Sequence, residues 1–161
     1  MLFRSKIADE AFSGNDNITS ISLPSTLLEI GIDAFSGCSM LTSVSIQSNQ
    51  VRIGLCAFAE SALELIVIPE GISEIGEYAF AGCAKLKSAI LPTSMSYLAE
   101  GLFYCSGLTS FTIPDNIVHV GNWALGACDS MTSITVAAGL LRWKRHYSPW
   151  WTLRVLVWKY S

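Results

Sequence analysis

The sequence predicts a mixed α/β repeat solenoid. It would be a right-handed stack of about six coils of 22–23 residues, with a short-stranded parallel sheet on one face and turns or short helical segments on the other. Three observations predict it. An apolar anchor recurs at Phe12, Phe35, Phe58, Phe80, Phe103 and Leu125, in steps of 23, 23, 22, 23 and 22 residues. A strand-like run follows each anchor. An aliphatic–small step then closes each unit before the next anchor.

The strand-like runs are ITSISLP (18–24), LTSVSIQ (41–47), LELIVIP (63–69), LKSAILP (86–92), LTSFTIP (108–114) and MTSITVA (131–137). Their apolar residues alternate, as in a strand with one face inward. Proline lacks an N–H and ends the ladder. Ile30, Ile53, Ile75, Leu98 and Val120 follow, each beside Gly31, Gly54, Gly76, Ala99 or Gly121, and predict a second, shorter extended segment or turn. The anchors, preceded by Ala11, Ala34, Ala57, Ala79, Leu102 and Ala124, are expected on a helical turn or tight bend. Two units lack one residue. The gap is expected in the turn after the anchor, where other copies carry Gly14, Gly37 and Gly82, because a turn absorbs a deletion without moving the strand register.

The segment IGEYAFAGCAKLKSAILP (75–92) resembles the signature of the BspA-like, or Treponema pallidum type, leucine-rich repeat. The resemblance covers about residues 7–139. It implies a non-enzymatic protein–protein interaction module, a fragment of a cell-surface adhesin-type protein whose partner is a host matrix protein or another cell surface. The alternative is an intracellular scaffold or regulatory module. The opening MLFRSKIADEAFSG has no apolar stretch ahead of a small-residue cleavage site, so no secretory signal is expected in it. For a secreted parent protein, the chain would be a fragment.

Composition narrows the function classes. The chain has 161 residues, 51% hydrophobic and 14% charged, with a net charge of −3. No apolar run reaches the roughly 18–20 residues of a membrane helix. Residues 1–139 carry 5 Lys/Arg and 13 Asp/Glu, giving −8; residues 140–161 carry five cations and no acid, giving +5. No basic repeat face exists, which argues against nucleic-acid binding. No nucleophile elbow, zinc-protease motif or phosphate loop occurs, so no catalytic, cofactor or metal residue is assigned. His119 is expected as a solvated side chain on an outer turn. Glu70, Glu74, Glu77 and Glu100 read as a solvated acidic edge rather than a catalytic carboxylate pair. The sequon Asn17-Ile18-Thr19 matters only on export.

Cys38, Cys83, Cys105 and Cys128 are assigned to one repeat position, with Asn15 and Glu60 or Ser61 in the other copies. Stacked side chains run parallel and do not converge on a metal. They are expected as free, buried thiols rather than disulfides between neighbouring coils. Cys56, just before an anchor, is the candidate exposed, reactive thiol.

The outward strand positions are Ser20/Ser22, Ser43/Ser45, Leu65/Val67, Ser88/Ile90, Ser110/Thr112 and Ser133/Thr135. Leu65, Val67 and Ile90 interrupt this Ser/Thr ladder with an apolar patch. With Ser88 and Thr112 they form the candidate partner-binding site. Glu64 and Lys87 are expected as a cross-strand ion pair beside it. Beyond Gly139 the repeat stops. The tail LLRWKRHYSPWWTLRVLVWKYS (140–161) reads as a C-terminal cap, as a basic-aromatic segment for a membrane surface or partner, or as a non-native end.

Overall fold

The computed structural model describes residues 5–136. The 140–161 tail, with its three readings, lies outside the described residues. The elements are β1 (Ser5–Ile7), β2 (Ser20–Leu23), β3 (Leu27–Ile30), β4 (Ser43–Ile46), β5 (Arg52–Ile53) and β6 (Leu65–Val67). They continue as β7 (Ser88–Ile90), β8 (Tyr97–Leu98), β9 (Ser110–Ile113), β10 (His119–Val120) and β11 (Ser133–Val136). All pairings are parallel, coil on coil.

Two strand faces result. On the long-strand face, whose strands have three or four residues, β2–β4, β6–β7 and β9–β11 pair. On the short-strand face, where β5, β8 and β10 have two residues each, β1–β3–β5, extended by an Ile53–Ile75 bridge, and β8–β10 pair. A turn joins the two faces, in which the carbonyls of Pro24, Pro69, Pro92 and Pro114 accept from the N–H three residues on. The aliphatic–glycine steps are therefore the short second strands.

The third side of each coil is a tight bend. No helix occurs among the described residues, so of the expected turns or short helical segments the turns are what forms. The reason lies in the backbone. Glu10, Asp33, Cys56, Tyr78, Gly101 and Trp123, two residues before each anchor, all have positive φ. So do Gly14, Gly37, Glu60, Gly82, Cys105 and Ala127, two residues after it. These left-handed residues interrupt any run of bonds to carbonyls four residues back. Alternate N–H groups point along the stack instead. Phe35 N donates to Ala57 O at 2.8 Å, Phe58 N to Ala79 O at 2.9 Å and Phe80 N to Leu102 O at 3.0 Å.

The core runs the length of the stack. The rings of Phe12, Phe35, Phe58, Phe80 and Phe103 lie face over face, with successive centroids 5.1, 5.2, 5.7 and 5.7 Å apart. That spacing suits both aromatic stacking and the separation of paired strands. Leu41, Leu63, Leu86 and Leu108 form a second buried column beside it.

The deletion lies elsewhere than expected. The position three residues after each anchor holds Asn15, Cys38, Ser61, Cys83, Ser106 and Cys128, without a gap. The missing residue falls after this slot. Four coils use two linking residues there, and the two short coils use one, Ala62 or Gly107. Cys105 is therefore not in the cysteine slot; Ser106 is. Cys105 sits at the left-handed turn position and is exposed.

The short links coincide with breaks in the long-strand face. The regular ladder is interrupted between β4 and β6 and between β7 and β9. Each break lies just before a strand reached through a one-residue link.

Candidate functional site

Alternation within β6 and β7 places Ile66 and Ala89 inward and their neighbours outward. Leu65 is 48% exposed, Val67 47% and Ile90 53%. Register aligns Leu65 with Ser88 and Val67 with Ile90, so the three apolar side chains share one face of a single strand pair. Ser88 lies on that pair and is exposed. Thr112 is exposed on β9, across the second break in the ladder.

The first break shapes the other edge of the patch. A groove of about 350 Å³ opens there, lined by Thr42, Ser43, Val44, Glu64, Leu65 and Val67. Glu64 N still donates to Thr42 O at 3.2 Å across it. The one-residue link at Ala62, the ladder break, the groove and the apolar substitution at Leu65 and Val67 all fall on the same coil. The missing residue was visible in the sequence; its coupling to a groove was not.

The neighbouring charges behave differently from expectation. Lys87 N donates to Glu64 O at 2.9 Å, so the two residues are adjacent through their backbones. Their side chains form no ion pair; among the described residues the ion pairs are those of Lys6 with Asp9 and Glu29. Nothing in the strand register requires the side chains of an exposed pair to meet, and ordering two long ones costs entropy.

The cysteines take three environments. Cys38 and Cys83 are buried, Cys56 and Cys128 half-buried, Cys105 exposed, and all five are free. Cys83 Sγ donates to Phe58 O at 3.2 Å and lies 3.3 Å from Ser61 Oγ. Cys128 Sγ repeats this with Phe103 O at 3.1 Å and Ser106 Oγ at 3.3 Å. The slot thus holds a small polar group that bonds a neighbouring coil: the cysteines reach the carbonyl of the coil before, the serines the thiol of the coil after. Cys56 is corrected from an exposed thiol to a half-buried one. Burial pushes its pKa up, and the carboxylates of Asp33 and Glu60 add to the shift. Among the described residues no three His, Cys, Asp or Glu side chains gather as metal ligands would.

Two of the four acids of the expected edge, Glu70 and Glu100, bond neighbouring coils. The Glu70 carboxylate accepts from Thr93 N and Thr93 Oγ1 at 3.0 Å in the next coil. Tyr78 Oη donates to Glu100 Oε1 at 3.1 Å. His119 lies on β10, paired with Tyr97 of β8, and not on an outer turn as expected. Its coil places the residue before Val120 in the short second strand.

Residues 5–132 match, in six copies, the profile of the BspA type leucine-rich repeat region. The chain belongs to the BspA-type leucine-rich repeat family. Solved structures agree. A leucine-rich repeat protein of Bacteroides ovatus shares 29% identity over 81% of the chain, with a TM-score of 0.65. The pneumococcal vaccine antigen PcpA shares 25% over 84%, with a TM-score of 0.72. A leucine-rich cell surface protein of Faecalibacterium prausnitzii shares 28% over 82%, with a TM-score of 0.60. The chain spans 43%, 36% and 42% of these three proteins' chains, respectively. No curated protein matches it significantly in sequence. BspA-type repeats are generally protein-interaction modules of surface proteins.

Proposed function

We propose that this BspA-type chain is a non-enzymatic binding module of a cell-surface adhesin-type protein, and that Leu65, Val67 and Ile90, flanked by Ser88 and Thr112, contact its protein partner. The observation that carries the reading is the exposed apolar triad beside the groove at the β4–β6 break. Every other outward position on this face is Ser or Thr, so the triad is confined to one strand pair. Three side chains about half exposed, beside a concavity, offer apolar area that a partner can remove from water. The partner class, a host matrix protein or another cell's surface protein, is supported by the surface and antigen descriptions of the similar structures.

The test is capture of immobilised extracellular-matrix proteins by the full chain and by its Leu65→Asp/Ile90→Asp variant. The expected result is an unchanged thermal melt with loss of capture. An unfolded variant would place the triad in the core, and undiminished capture would place the contact elsewhere. A second reading, an intracellular scaffold, is favoured by the five free thiols, since cysteines stay reduced in the cytosol. Cell fractionation of the native protein decides between the two.

A further inference from the structure

The short-strand face carries a charge pattern that changes along the stack. Lys6 of β1, Glu29 of β3 and Arg52 of β5 follow one another in register. The Ile53–Ile75 bridge places Glu74 next. Signs therefore alternate over the first four coils, and Lys6 Nζ reaches Glu29 Oε1 at 3.1 Å. On the following coils the same column holds Tyr97 and His119, so the alternation ends without the expected cation.

A groove of about 540 Å³ opens at that place, lined by Glu77, Tyr97, Glu100, His119 and Asn122 over a floor of Gly76, Ala99 and Gly121. The floor is held flat by close packing between coils. A Cβ on Gly121 would lie 2.7 Å from Glu100 N. Glu77 and Glu100 occupy the same repeat position, three residues before their anchors, on adjacent coils. Like charges stacked in this way repel and do not help the fold. No lysine or arginine lines the groove.

One of the two carboxylates, that of Glu100, is also oriented. The Tyr78 ring covers Gly101, where any Cβ would overlap it, and its hydroxyl holds Glu100 Oε1. Glu100 Oε2 has no hydrogen bond among the described residues. Tyr78 packs edge to face on Tyr104 at 6.4 Å, and Tyr104 in turn on Trp123 at 6.0 Å.

We propose that the groove over β8 and β10 is a second binding surface that takes an arginine side chain from an extended segment of a partner protein. A flat guanidinium can lie over Tyr97 while its N–H groups reach Glu77 and Glu100. The cation would continue the alternation that Lys6, Glu29, Arg52 and Glu74 begin. The proposal rests on reading the chain as a protein-binding module, but it uses a different face from the Leu65 triad.

The test titrates a hexa-arginine peptide into the full chain by calorimetry. The expected result is binding that weakens about tenfold or more in Glu77→Gln/Glu100→Gln. The control Glu10→Gln/Glu60→Gln, with the same change of net charge outside the groove, should weaken it less than about twofold. Absence of binding, or equal weakening in the two variants, overturns the proposal. Leu65→Asp/Ile90→Asp should retain peptide binding, so failure at the triad and failure at the groove are read separately.

Discussion

Ser61 Oγ and Cys83 Sγ meet at 3.3 Å in adjacent coils, both buried, while Cys83 Sγ also bonds the Phe58 carbonyl. The pair shows why cysteine recurs. It fills a narrow slot beside the phenylalanine column and satisfies a carbonyl of the coil before it. In the two short coils serine fills the slot, and its hydroxyl meets the cysteine of the following coil instead. Ser61→Ala removes a small polar contact and should cost about 1 kcal/mol in urea unfolding.

Burial pushes the Cys83 thiol above its ordinary pKa of 9.0, outweighing the lowering by Ser61. The folded state therefore holds this proton where the unfolded chain releases it. The thiol's contribution to stability is complete below pH 9 and declines as pH rises above it. Cys128 shifts the same way, also chiefly by burial. Urea midpoints measured from pH 7 to about pH 10 should fall at the alkaline end. The fall should be smaller in Cys83→Ser, whose hydroxyl does not ionise there.

Thiol labelling should follow position in the coil. Cys105 is exposed and should react first with a bulky thiol reagent; Cys38 and Cys83 are buried and should react only on unfolding. Mass mapping after brief labelling checks the order. Early modification of Cys83 would contradict the slot described above.

The phenylalanine column should be cooperative in its middle and tolerant at its end. Phe58 is fully buried between Phe35 and Phe80, so Phe58→Ala should cost about 3–5 kcal/mol. Phe12 is 37% exposed and has a described ring neighbour on one side only, so Phe12→Ala should cost clearly less. Thermal or urea melts of the two variants give the comparison.

Two glycines separate strain from crowding. Gly14 has φ +67° and open space where a Cβ would go, so Gly14→Ala should cost about 1 kcal/mol through backbone strain alone. Gly54 has no positive φ, but its Cβ would lie 2.7 Å from the Gly31 carbonyl. Gly54→Ala must push two coils apart, and its melting temperature should fall further than that of Gly14→Ala.

The repeat was legible because it is written in residue types. The Phe12–Phe103 series, the alternating strands and the Ile53-Gly54 type steps gave the coil length, the core columns and the outward triad from spacing alone. The choice between helical turn and tight bend was not legible, because left-handed φ at Glu10, Asp33, Tyr78 and Trp123 has no marker in the side chain. Cys105 was misplaced because the gap was assigned to the glycine turn, whereas Ala62 and Gly107 show it one link later. Glu77 and Glu100 are legible as an acidic edge, but their groove is not, because Glu77, Tyr97, Glu100 and His119 are spread over 43 positions of the chain.

By itself, the sequence determined a six-coil stack, its buried face and the exposure of Leu65, Val67 and Ile90. These follow from local periodicity, because each coil buries the same positions against the next. Only the tertiary structure decided where the bends direct their N–H groups, where the long-strand ladder breaks, and which side chains of different coils share a groove. Those features depend on contacts between coils 22–23 residues apart, and a change of one linking residue alters them while leaving the repeat pattern readable.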